Sequence, residues 1–383
     1  MKKTPPLRAL LVDPSLFTAP YDAALTEGLV AAGVEPTWAV RPTRSGDRQE
    51  IAPQYVDAFF YRRIEEMPFL PRPLRAVAKG LAHALGLAQL VLRVIATKPD
   101  VVHFQWLVVP PVDALAIRII SSLSCPVVLT VHDTVPFNGE RLSLLQNLAF
   151  DLPMRLSARV IVHTAAGRTR LLERGVPGEK LAVIPHGPLR LHATASAAAQ
   201  TARTDERRTF LMFGEIKRYK GPDLLVEAVG LLPPSLRRQA RFIVAGRPRM
   251  DLSPVAARIA ALGLEETVEV WPRRLSEGEM ADLFAQTDCF VFPYRQIDAS
   301  GVYFLTKSFR KWVIASRVGI FAEDLQDGVQ GVLVPPEDPA ALADAIATAI
   351  TKQPTPASIS PSSAWLDIGY ATRHVYQQAQ ARA

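Results

Sequence analysis

Phe213-Gly214-Glu215-Ile216-Lys217-Arg218-Tyr219-Lys220-Gly221 follows an apolar run and opens directly into Pro222-Asp223-Leu224-Leu225-Val226-Glu227-Ala228, which carries a helical pattern. The stretch predicts a strand, a glycine turn and a helix start in succession. Backbone N–H groups in the first turn of a helix have no intrahelical acceptor and carry partial positive charge. Lys217, Arg218 and Lys220 add full charges beside them, so the junction suits an anion such as a diphosphate. A Lys-Gly pair before a helix is also compatible with a solvated basic loop, and the rest of the C-terminal half decides between the two.

In that half Arg241-Phe242-Ile243-Val244-Ala245-Gly246 reads as a buried strand ending in glycine, and Val268–Pro272 as the next strand. A helix with Met280, Leu283 and Phe284 on one face follows. Then come Asp288–Tyr294, the turn Asp298-Ala299-Ser300-Gly301-Val302, the strand Trp312–Ser316 and the tail Asp327–Pro336. In this order the landmarks resemble the nucleotide-binding domain of the GT-B glycosyltransferases, specifically glycosyltransferase family 4 (the group 1 glycosyltransferases). The likeness covers residues 208–350 well and the N-terminal half more loosely. It implies an α/β protein of two Rossmann-like domains facing each other across a cleft, and a retaining, metal-independent transfer of a sugar from a nucleotide sugar.

Length and composition agree with two domains. A chain of 383 residues with 49% hydrophobic content exceeds one ordinary single-core domain. Lys and Arg number 44 against 37 Asp and Glu, an excess that favours anionic partners without choosing among them. Cys125 and Cys289 lie far apart in apolar surroundings, which reads as two reduced core thiols and a cytoplasmic protein. Met1–Pro6 is basic but leads into an apolar run too short for a secretion signal. The most apolar stretch, Gly80–Ala96, falls short of the roughly 20 residues that span a bilayer.

Apolar runs such as Ala9–Val12, Val101–Phe104, Val127–Val131 and Val160–Val162 alternate with helical patterns, the signature of α/β architecture. Val127–Val131 is apolar on both faces, as a parallel strand between helix layers should be. Residues 1–187 are expected to form the acceptor-side domain and 208–361 the nucleotide-sugar domain. Residues 188–207, small and polar, read as a linker, and 362–383 as a last helix that, by the resemblance, returns to the N-terminal domain.

The resemblance carries site roles onto matching positions. Lys220 matches the family's lysine before glycine and would neutralise the diphosphate, with Gly214 as the turn glycine. The family's arginine after that glycine is replaced here by Glu215, so the second cationic role shifts to Lys217. Of the two glutamates many members use on the donor, the aligned positions hold Asp298 and Thr306. Asp298 keeps a carboxylate for the sugar hydroxyls, while Thr306 cannot make a bidentate contact with ribose. Asp298 is equally suited to cap the helix that follows, and Ser300, Gly301 and Val302 would present that helix's amides to the donor. His132 ends the strand Val127–Val131, where open α/β sheets form their ligand crevice, and it matches the family's histidine that faces the donor sugar. Together His132 and Asp298 are the expected catalytic pair. His103, His163 and His186 also end strands and are weaker candidates.

No Asp-any-Asp pair and no zinc-type Cys/His spacing occurs, so no metal and no cofactor is expected. Gly-any-Gly is missing, which disfavours a nicotinamide-dependent dehydrogenase. The expected partners are a nucleotide sugar and a glycan or lipid-linked acceptor, as in polysaccharide biosynthesis; nucleic acid is not among them, because no basic patch is interleaved with aromatics. A non-catalytic GT-B-like binding protein and a sugar-nucleotide epimerase remain the competing readings. From Pro73 onward, Arg72, Arg75, Lys79, His83 and Arg93 fall on one helical arc, with Leu74, Val77, Leu81, Leu85, Leu92 and Ile95 outside it. Arg72, Arg75, Lys79 and Arg93 are thus expected to face an anionic membrane, placing the protein peripherally at its inner face. A core-packing helix with a solvated charged face is the alternative.

Overall fold

The computed structural model describes residues 6–44, 47–62, 72–134, 150–197, 199, 207–356 and 364–381; the side chains of 72, 73, 75 and 76 lie outside that description. The chain divides into two compact units, residues 1–187 with 361–383, and residues 188–360.

The first unit is built on β1 (Leu7–Asp13), α1 (Ala19–Ala31), β2 (Val34–Val40), β3 (Val56–Ala58), α2 (Arg72–Thr97), β4 (Val101–Phe104), α3 (Pro110–Ser122), β5 (Val127–Val131), α4 (Leu152–Leu156), β6 (Arg159–Val162), α5 (Ala165–Glu173) and β7 (Leu181–Val183). Its seven strands run in the order β3-β2-β1-β4-β5-β6-β7, all parallel. Every residue of β4 and β5 is buried, which is why these strands read as continuous apolar runs. Helices α2 and α3 pack on one face of the sheet around Leu87, Leu90, Val94, Ile117 and Ile120.

The second unit comprises β8 (Arg208–Phe213), α6 (Pro222–Leu231), α7 (Pro234–Arg237), β9 (Ala240–Ala245), α8 (Ser253–Ala261), β10 (Val268–Trp271), α9 (Glu277–Gln286), β11 (Cys289–Phe292), α10 (Gly301–Thr306), β12 (Trp312–Ser316), α11 (Gly319–Asp324), β13 (Gly331–Val334) and α12 (Pro339–Lys352). Its six parallel strands follow β10-β9-β8-β11-β12-β13. Both sheets therefore reverse direction of travel beside their first strand, between β1 and β4 and between β8 and β11. Ligands of open α/β sheets bind outside the strand ends at such a reversal. The N-terminal part of the expected linker does not run free: Leu189 and Leu191 pack on the second unit's core, and the Leu189 N–H donates to the Phe304 carbonyl.

The last helix, α13 (Ala364–Gln380), packs on α1 in the first unit. Gly28 and Gly369 make the approach possible, since a Cβ on Gly369 would sit 2.0 Å from the Gly28 carbonyl oxygen. Tyr376 on this helix is fully buried and its hydroxyl meets His103 Nδ1 at 2.7 Å.

Helix α2 corrects two expectations. Over Val77–Thr97 it is long and apolar enough to cross a membrane by length and composition, the helical run extending beyond the Gly80–Ala96 stretch. It is nevertheless a packed element of the fold, held by buried His83, which meets the Tyr61 hydroxyl at 2.8 Å and Asp113 at 2.7 Å. Asp113 in turn accepts the Val108 and Val109 N–H groups. The expected cationic face is turned inward in part: Arg93 pairs with Asp57 and lies over the Phe59 ring at 3.9 Å. Lys79 is exposed, and the side chains of Arg72 and Arg75 lie outside the described residues. Leu74, Val77, Leu81, Leu85, Leu92 and Ile95 instead face solvent, each 50–66% exposed. Pairing sites for His83 and Arg93 within the fold decide which side faces in, and helical periodicity alone does not contain them.

Candidate functional site

In the second unit, β8 ends at Phe213 and the chain turns at Gly214 into the short 3-10 turn Arg218–Lys220, Gly221 and α6. Gly214 has φ +110°, and a Cβ there would lie 2.8 Å from Lys220 Nζ and 3.0 Å from Val302 Cγ2. Gly221, at φ +72°, would drive a Cβ to 2.2 Å from the Pro293 carbonyl oxygen. Glycine is required at both positions because the backbone is left-handed and the space is taken. The turn sits at the β8–β11 reversal, and it brings Gly214, Lys220 and Val302 together.

Lys220 is only 7% exposed. Among the described residues its ammonium has no hydrogen-bond or ion-pair partner, and it lies 5.5 Å from the Tyr294 ring centre. Burial, followed by the nearby charge of Lys217, lowers its pKa to about 8, the more distant Glu215 carboxylate opposing them only in part. A buried cation without a counter-anion is costly, and here it stands beside a helix N-terminus that also favours negative charge.

Lys217 and Glu215 form an ion pair at 3.4 Å, and Arg249 reaches the same carboxylate at 2.7 Å. Glu215 is thus held between two cations. Burial alone would raise its pKa, but the hydrogen bond from Arg249 and the charges of Lys217 and Arg249 bring it below the ordinary carboxylate range. Arg249, on the loop after β9, was not legible as part of this cluster, because the contact joins residues 34 apart. Arg295 closes the other side with a two-pronged bond to Asp223 at 3.0 and 2.7 Å.

Ser300 is the N-cap of α10, its side chain accepting from the Tyr303 N–H. That settles the capping question: Asp298 is buried two residues earlier, and its carbonyl accepts from Ile320 N. The Thr306 hydroxyl donates to the Tyr303 carbonyl within its own helix.

In the first unit, His132 follows β5 and lies at the centre of a buried cluster at the strand ends. Its ring stacks on Trp106 with centroids 4.9 Å apart and 9° between planes, and Tyr21 meets its edge at 5.0 Å. Nδ1 is 3.1 Å from His163 Nε2, and Nε2 is 3.2 Å from the Gln105 side-chain oxygen. His163 Nδ1 is 2.9 Å from the Ile184 carbonyl. His103 is held between Tyr376 and Thr130. Burial first, then the neighbouring imidazoles, lowers the His132 pKa well below 6.5. A small, mostly apolar pocket opens beside His132 and Trp106, lined also by Leu107, Pro110, Phe150 and Met154. Gln105 and Trp106 were missed from sequence, although they follow β4 as His132 follows β5.

The description "Glycosyl transferases group 1" matches residues 195–363, and "Glycosyltransferase Family 4" matches residues 23–187. The chain belongs to the group 1 glycosyl transferases. Its fold is GT-B. Similar solved structures include Anabaena HepE in complex with UDP and glucose (TM-score 0.68, 19% identity, 97% of this chain and 95% of that one). Sucrose-phosphate synthase from Thermosynechococcus elongatus is also similar (TM-score 0.63, 18% identity, 97% and 94%). Curated relatives are D-inositol 3-phosphate glycosyltransferases. That of Streptosporangium roseum is 27% identical over 49% of this chain and 45% of its own length. That of Catenulispora acidiphila is 26% identical over 72% and 67%. In several of these matches the chain spans about half the length of the relative.

Proposed function

We propose that this group 1 chain transfers a sugar from a nucleotide-sugar donor, with retention at the anomeric carbon and without a metal ion, to a glycan or lipid-linked acceptor. The observation that carries the reading is Lys220, a buried ammonium at a helix start with no anionic partner among the described residues. A donor diphosphate would supply that partner, and the fixed positive charge would stabilise the leaving group without metal. Asp298 would bind sugar hydroxyls in the second unit and His132 a hydroxyl in the first. Ser300, Gly301 and Val302 would line the donor beside Gly214, with Lys217 as a second cation.

Uridine nucleotides are the first donors to test, because HepE was solved with UDP and with UDP-glucose. D-inositol 3-phosphate joins the acceptors for the same kind of reason. Incubation with labelled nucleotide sugars is expected to give sugar transfer that persists in excess chelator. Loss of activity in chelator, restored by magnesium, would contradict metal independence. A second reading, a non-catalytic nucleotide-binding protein, is favoured by the Thr306 hydroxyl being used inside its own helix and by both His132 nitrogens facing protein groups. It predicts nucleotide binding with neither hydrolysis nor transfer.

We also propose reversible docking on an anionic membrane at its cytoplasmic face, through the exposed apolar residues of α2 with Lys79 beside them. A leucine that leaves water contributes on the order of 1.5 kcal/mol or more. The triple variant Leu81→Asp, Leu85→Asp, Leu92→Asp is therefore expected to lower partition onto anionic vesicles by about 100-fold or more, with nucleotide binding unchanged. Wild-type protein that stays in the supernatant at low salt would remove the membrane from the proposal.

A further inference from the structure

The imidazoles at the ends of β5 and β6 form a chain with one direction. The Ile184 carbonyl can only accept, so His163 Nδ1, 2.9 Å away, carries a proton. His163 is neutral, its pKa lowered to about 4 by burial against the opposing effect of that same bond. Its Nε2 is therefore a bare acceptor. The group facing it at 3.1 Å, His132 Nδ1, must then be the donor. A neutral imidazole carries one N–H, so His132 Nε2 is left with its lone pair. Two acceptors cannot face each other at 3.2 Å, so the Gln105 amide is turned about to present its NH2 group to that lone pair. Its oxygen then takes the place beside His103 where the amide nitrogen stands 3.4 and 3.3 Å from the ring nitrogens, oxygen and nitrogen of an amide being assigned from such networks.

We propose that His163 is a positioning residue which fixes His132 in the Nδ1–H tautomer, so that His132 Nε2 receives a hydrogen bond from a substrate hydroxyl in place of the Gln105 amide. The role of His132 as an acceptor toward substrate rests on the glycosyl-transfer reading; the tautomer does not. Several features hold the relay in place. Trp106 stacks on one face of His132, and Tyr21 lies edge-on to His132 and His163, at 5.0 and 5.6 Å. A ring so packed cannot flip to exchange its nitrogens without displacing them. The pocket lined by Leu107, Phe150 and Met154 opens beside this ring, so a hydroxyl entering it meets an acceptor rather than a donor.

Long-range nitrogen–proton NMR on protein labelled at histidine tests the tautomer directly, with assignment by single substitution. His132 is expected to show a protonated Nδ1 and a bare Nε2. In His163→Phe, which keeps a ring but removes the acceptor, that tautomer is expected to be lost and kcat to fall about 100-fold, the lower end of what a positioned acid–base group contributes, with the donor KM little changed. His163→Gln places an amide oxygen near the position of Nε2 and is expected to restore both the tautomer and most of kcat. A wild-type His132 protonated at Nε2, or a His163→Phe protein whose His132 keeps the Nδ1 proton, would overturn the proposal. So would a His163→Phe protein that has lost the tautomer yet turns over normally. If wild-type protein shows the expected tautomer but transfers no sugar, the transfer reading fails while the relay stands.

Discussion

Lys220→Met is expected to raise the unfolding midpoint of the free protein while lowering its affinity for UDP at least tenfold. The two effects have one cause. In the free protein the ammonium is buried without an ion pair among the described residues, Glu215 attracting it only at a distance, and its pKa stands at about 8 against an ordinary value of 10.5. The folded pKa is the lower of the two, so between pH 8 and 10.5 the unfolded chain holds a proton that the folded chain has released, and stability rises with pH across that window. Below pH 8 the whole penalty is present, on the order of 3 kcal/mol at 1.36 kcal/mol per pKa unit. Methionine fills similar space without the charge and removes the penalty. A diphosphate gains a charge-assisted bond from the same group, about 1.5–3 kcal/mol. UDP affinity should thus be level below pH 8 and weaken about tenfold per pH unit above it, with proton uptake on binding. Calorimetry in buffers of different ionisation heat measures both. Unchanged UDP affinity in Lys220→Met would place the diphosphate elsewhere.

The Lys220 turn was legible because its parts are local. Strand end, glycine, lysine and helix start lie within nine residues, and each is fixed by backbone geometry that sequence records directly. The parallel sheets were legible for a similar reason: strands buried on both faces have no polar alternation to hide. Features that depend on partners distant in sequence are not legible in this way. Helical periodicity sets Arg93 on an outward face because it does not contain Asp57, 36 residues away. Glu215 stands where the family has a cation, and sequence does not show that Arg249, on another loop, pairs with it. His132 was found by its place at a strand end, but the relay behind it needs β6, the Ile184 carbonyl and the β4 end to come together.

That imidazole cluster has a second consequence, and a larger one. The protein is expected to lose stability steeply between pH 6.5 and pH 4, well above the range in which paired surface carboxylates titrate. His103, His132 and His163 are all buried. Burial first lowers the His103 pKa to about 3, with the charge of His163 adding to it, and the His163 pKa to about 4; His132 falls well below 6.5. In each case the folded pKa lies under the unfolded one. As pH drops below 6.5 the unfolded chain takes up protons that the folded chain refuses, so the stability contributed by the neutral rings is complete above 6.5 and drains away down to the folded values. A ring that stays neutral while its unfolded counterpart titrates costs about 1.4 kcal/mol per pH unit, so His103 and His163 together cost about 3, and His132 adds to that slope. Over two pH units His103 and His163 alone remove about 5 kcal/mol, a large part of the stability of an ordinary domain, and His132 acts in the same direction. The buried carboxyls Asp13 and Asp22 act in the opposite sense, since burial raises their pKa values and their contribution returns as pH falls through them. They offset part of the loss that the rings produce, which makes the contrast between wild type and a variant lacking one ring the cleaner measurement. Urea unfolding followed at pH 7, 6 and 5 measures the slope. His163→Gln removes one titrating ring, and its slope is expected to be shallower by about 1.4 kcal/mol per pH unit. A His163→Gln slope no shallower than that of wild type from pH 7 to pH 5 would mean that the ring is not held neutral in the folded protein.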